Sequence, residues 1–107
     1  MANNIAGKIK YVDQFNADVT LAAEGTPFII KKIILVSATA GDIFRLEDVS
    51  GNRLFHMTNN GGNARHTTED FGDEGYDLGN KGVIIDVSDC TGMAGTDGTD
   101  AVWIYTL

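Results

Sequence analysis

The sequence predicts an all-β protein, a single-domain antiparallel β-sandwich or small jelly roll of about seven to eight strands. Three observations predict it. Apolar residues recur with period two in short runs, as in Gly82–Val87 and Ala101–Leu107, and no stretch has the period of an amphipathic helix. Thirteen glycines stand against one proline, a balance that suits short strands joined by tight turns. The 107 residues have room for one core, large enough to fold without disulfide staples.

Taken in order, residues 1–7 read as a small, polar N-terminal arm and residues 8–107 as the sandwich domain. Lys8–Val12 alternates, with Ile9 and Tyr11 on one face and the lysines on the other, as in an edge strand. Asp18–Leu21 is a second strand, and Gly25-Thr26-Pro27 punctuates. Phe28–Val36 is the strongest strand. Regular alternation puts Phe28, Ile30, Ile34 and Val36 on one face and Ile29, Ile33 and Leu35 on the other, with Lys32 and Lys31 divided between them. A strand with one solvated face alternates apolar and polar residues, and this one does not. It is therefore central with both faces covered, or its outer face meets another subunit, or a bulge at Lys31-Lys32 breaks its phase. In the second case Ile29, Ile33 and Leu35 are the candidate oligomer interface.

Residues Ser37–Asp42 form a loop. Ile43–Glu47 and Arg53–Met57 form a hairpin about Ser50-Gly51-Asn52, with Phe44 and Leu46 facing Phe55 and Met57. Thr58–Arg65 is polar and reads as a surface loop, and Glu69–Tyr76 has Phe71 as its one large apolar anchor. Gly79–Gly82 is a turn before the strand Gly82–Val87. Cys90–Asp100 is a second small-residue loop. Ala101–Leu107 closes the chain with Trp103 and Tyr105 on one face and Val102 and Ile104 on the other, the aromatic pair expected in the core.

The net charge of −7 argues against binding nucleic acid, which needs clustered Lys and Arg, and against docking on an anionic membrane. The longest purely apolar run, Ile33–Val36, is far too short to span a bilayer. One cysteine allows no intrachain disulfide, and the start MANNIAGKIK lacks the pattern of a signal peptide, so synthesis in a cytoplasm is expected. Among the acidic residues Glu69–Asp77, the calcium candidates are Asp70, Asp73 and Asp77, although the spacing is not that of an EF-hand and a solvated loop is the plainer reading. Asp97 and Asp100 fit a turn that bonds local backbone. His56 and His66 lack the spacing of a zinc site. Cys90 beside Asp89 is disfavoured as a thiolate nucleophile. The glycines of Gly92–Gly98 are followed by no helix and do not make a dinucleotide site. No catalytic residue, cofactor or metal is expected.

One order of segments stands out: KKIILVSA, then TAGDIFRLEDVSGNRLF, then a middle segment with the lone Phe71, then KGVIIDV, a small-residue loop and AVWIYTL. This order resembles the small all-β virion structural proteins of tailed bacteriophages, most of all capsid decoration (cement) proteins, over residues 28–107. The resemblance implies a non-enzymatic protein of the capsid surface, made in the host cytoplasm. It also implies a homo-oligomer, a trimer above all, whose partner is the major capsid protein. It carries over no functional residues. The competing expectation is a tail or baseplate component that binds a host glycan through exposed Trp103, Tyr76 or Tyr105, with calcium at Asp70–Asp77.

Overall fold

The computed structural model describes residues 3–37, 41–59, 65–90, 92–93 and 100–107. Among them are nine strands: β1 (Ile9–Val12), β2 (Val19–Glu24), β3 (Ile29–Ser37), β4 (Ile43–Glu47), β5 (Arg53–Thr58), β6 (Arg65–Asp70), β7 (Tyr76–Asp77), β8 (Lys81–Ile85) and β9 (Ala101–Thr106). A single 3-10 turn, Val87–Asp89, follows β8, with Asp86 as its N-cap. One sheet has the order β1-β9-β3-β6, with β7 also on β3, and the other has the order β2-β8-β4-β5. Every pairing is antiparallel. Their inner faces share one core, in which Ile33, Leu35, Val102 and Ile104 of the first sheet meet Phe44, Leu46, Val83 and Ile85 of the second. This is the expected β-sandwich. The expected loop Cys90–Asp100 lies largely outside the described residues, as does Asp97 within it.

The phase of β3 sets up the rest of the molecule. Ile30 lies opposite Thr106 and Lys32 opposite Tyr105, so Lys31 is an extra residue with no opposite number on β9. The carbonyl of this bulge accepts a hydrogen bond from the Phe71 amide at 2.8 Å. Of the three readings of this strand, the bulge is therefore present. A bulge reverses the alternation beyond it. Ile30 faces the core before it; Ile33, Leu35 and Ser37 face the core after it, all fully buried. The expected grouping of Ile29 with Ile33 and Leu35 is corrected accordingly. Ile33 and Leu35 are 0% exposed within a single chain, so no partner can reach them, and Ile29 is half-buried on the other face.

The hairpin follows its residues closely. Phe44 pairs with Met57 and Leu46 with Phe55, as expected. The Asp48 carboxylate accepts hydrogen bonds from the Ser50 and Asn52 amides, each at 2.9 Å, and Gly51 supplies the positive φ of 86°. These bonds hold the Asp48 carboxyl below its usual value. The arm turns back on its own chain: Asn4 and Tyr11 exchange backbone hydrogen bonds at 2.9 and 2.7 Å, and Lys10 Nζ donates to the carbonyls of Ile5 and Gly7 at 3.0 and 2.7 Å.

β6 and β7 were not expected. All six residues of β6, RHTTED, are charged, histidine or threonine, with no apolar member among them. It is an edge strand held by backbone bonds to the outer half of β3, so it has no hydrophobic alternation to detect.

Candidate interaction surface

The outer face of the β1-β9-β3-β6 sheet is the most unusual surface of the molecule. An exposed sheet face is ordinarily polar. Here the register aligns Tyr11 with Trp103, Trp103 with Ile34, Ile9 with Tyr105 and Tyr105 with Lys32. Val102 and Ile104 take the core positions of β9, so Trp103 and Tyr105 are turned outward and half-buried, not packed in the core as expected. The Tyr11 and Trp103 rings lie 4.7 Å apart at 47°, and the Tyr11 hydroxyl donates to Asp13 at 3.2 Å. Burial first, and then that carboxylate, raise the Tyr11 pKa. Ile34 and Val36 are half-buried beside them, and Ile9 is 55% exposed.

At one end of this face lies a groove of about 360 Å³ lined by Lys8, Lys31, Lys32, Asp70, Asp73 and Tyr105. The bulge creates it. Successive strand residues point to opposite faces, yet Lys31 and Lys32 both line this one groove. The Lys32 ammonium lies 4.6 Å from the Tyr105 ring centroid. The turn after β6 closes the far wall. Gly75 packs against β3 there, leaving no room for a Cβ, which would sit 2.8 Å from the Ile30 carbonyl oxygen at a φ of +75°.

The calcium candidates are not brought together. The Asp70 carboxylate accepts from the Gly72 amide at 2.9 Å and that of Asp77 from the Gly79 amide at 2.7 Å, so each serves its own turn. Among the described residues, three carboxylate oxygens within 4.8 Å of one another occur only at Glu47, Asp86 and Asp89. Sequence reasoning missed this group because its members come from β4 and from the turn that covers it. Glu47 is 3% exposed, and its Oε2 lies 2.7 Å from Arg45 Nε, an ion-pair distance off the angle of a hydrogen bond. Burial first, then the hydrogen bond with Asp89, push the Glu47 carboxyl up to about 7, against the lowering effect of Arg45. The group can take a cation, but the Arg45 guanidinium already offsets one of its charges, and the Glu47 carboxyl raised to about 7 removes a second below that pH.

Tyr76 belongs elsewhere. It stacks on Phe71 with centroids 5.2 Å apart, and Phe71 meets Phe55 edge-on at 5.7 Å. It pairs with core-facing Ile30, which puts it on the opposite side of the sheet from Trp103 and Tyr105. Cys90 is 2% exposed with its thiol 3.7 Å from the Arg45 carbonyl. Desolvation pushes that thiol up to about 11, which keeps it protonated at neutral pH. His56 is exposed and contacts Arg53 across 3.4 Å. No protein-family model matches this chain, and no curated protein or solved structure does either.

Proposed function

We propose that this chain is a non-enzymatic structural subunit of a virion, a capsid decoration protein that stabilises the head shell as a homo-oligomer. The observation that carries the reading is the outer face of the first sheet, where Tyr11, Trp103, Ile34 and Val36 stand in place of the polar residues of a solvated sheet. Such a face is stabilised when a second copy covers it, and closed symmetry, as in a trimer, covers it without open-ended growth. The net charge of −7 supports the same reading, since a particle surface of this kind does not attract nucleic acid. The protonated, buried thiol of Cys90 supports a role without covalent chemistry.

Light scattering on the purified chain tests the assembly, with a trimer expected. Ile34→Glu puts a charge on the outer face and leaves the core intact, so it is expected to give a folded monomer. Adding the wild-type chain to undecorated heads is expected to raise their resistance to heat. A wild-type monomer that is absent from purified heads but present in tails would overturn the proposal.

A further inference from the structure

We propose that the groove beside the Lys31 bulge binds an acidic saccharide, a hydroxyl-rich ligand that carries a single carboxylate. The charge distribution is the first argument. The chain has five lysines and a net charge of −7, yet three of the five, Lys8, Lys31 and Lys32, line this groove. Among the described residues, no ion pair within 4.0 Å joins any of the three to a carboxylate; the pair that does form is Arg45–Glu47. Ammonium groups gathered in a concavity without an ion pair to a described carboxylate raise the local concentration of an anion.

The second argument is that the backbone is shaped to bring them together. In a regular strand Lys31 and Lys32 point to opposite faces, one of them toward the core. The bulge turns both into the groove, which is a recurrent use of bulges at binding sites. The Tyr105 ring then fixes the Lys32 ammonium 4.6 Å above its centroid, so this charge is positioned before a ligand arrives.

The acidic wall sets the class of ligand. Asp70 keeps one carboxylate oxygen beyond its bond to Gly72, and Asp73 lies beside it. Two carboxylates facing three ammonium groups repel a polyanion such as a nucleic acid or polyphosphate. They accept hydrogen bonds from hydroxyls while the lysines take one negative charge. A volume of about 360 Å³ suits one or two sugar rings. The groove lies at the Ile9–Tyr105 end of the sheet, beside and not within the Tyr11–Trp103–Ile34 patch, so binding does not depend on the assembly proposal.

The test is an amide chemical-shift titration of the full chain with N-acetylneuraminic acid and with galacturonic acid, beside neutral maltose and inorganic phosphate. The expected result is saturable shifts at Lys31, Lys32, Asp70 and Tyr105 with at least one acidic sugar and none with maltose. Lys32→Gln is expected to weaken binding by about tenfold, while Lys81→Gln on the other sheet leaves it unchanged. Each variant's spectrum reports its folding, and light scattering reports its mass, so loss of assembly and loss of binding read separately. The proposal is overturned if neither acidic sugar shifts these amides, if phosphate shifts them equally, or if Lys32→Gln binds as the wild type does.

Discussion

Replacing Glu47 by glutamine keeps the shape of a side chain that is 3% exposed and removes its titration. In the wild type, burial and the hydrogen bond with Asp89 hold this carboxyl at about 7 in place of the usual 4.5. Between those values the folded chain keeps a proton that the unfolded chain has released. Stability therefore falls as pH rises: the contribution is fully present below about 4.5 and lost on passing through about 7. The whole gap corresponds to about 3 kcal/mol as an upper bound. Asp89 is exposed and water reaches that side of the group, so screening brings the expected difference to about 1–2 kcal/mol. Glutamine has no such proton to lose. Urea unfolding of both proteins at matched salt, between about pH 5 and about pH 8, measures the effect. The two are expected to be similar at the acid end, with Glu47→Gln the more stable by about 1–2 kcal/mol at the alkaline end. Parallel pH curves would refute the burial argument, and a variant less stable at every pH would show that the Arg45 pair outweighs it.

Three further outcomes follow from the packing. Gly75→Ala places a Cβ 2.8 Å from the Ile30 carbonyl at positive φ and is expected to cost about 3 kcal/mol, while Gly79→Ala, also at positive φ but in open space, costs about 1 kcal/mol; thermal melts of the two, if equal, would contradict the close approach. Deleting Lys31 removes the bulge yet leaves Ile30, Ile33 and Leu35 facing the core, so circular dichroism should show a folded protein. Deleting Ile34 reverses one half of β3 and should unfold it. Iodoacetamide should alkylate Cys90 at least about a hundredfold more slowly in the folded than in the urea-unfolded chain, since a thiol raised from 9.0 to about 11 holds that much less thiolate and is also buried; equal rates would refute its placement.

The strands that bury side chains were legible because burial leaves a period in the sequence. Val83, Ile85, Val102 and Ile104 all face the core. So was the turn at Asp48–Asn52, whose bonds are made within five residues. β6 was not legible, because its six residues are held by backbone bonds to β3 and bring no hydrophobic pattern of their own. Nor was the Glu47–Asp86–Asp89 group, which exists only once the 3-10 turn lies over β4. The outward aromatic face was misread for a related reason. Both faces of β9 are apolar, and period alone does not say which one meets the second sheet.

Residue pattern alone is enough for the class of this protein: a small, acidic, all-β sandwich whose strongest strand is Phe28–Val36, with three ways to explain its excess of apolar residues. The choice among them rests on how the strands pair. A bulge is one residue opposed by none, and that is a relation between strands which no single strand can display. Once β9 and the Phe71 amide fix Lys31 as the extra residue, Ile33 and Leu35 go inward. Ile34 is then left outside with Trp103, and two lysines that alternation would have separated share one groove.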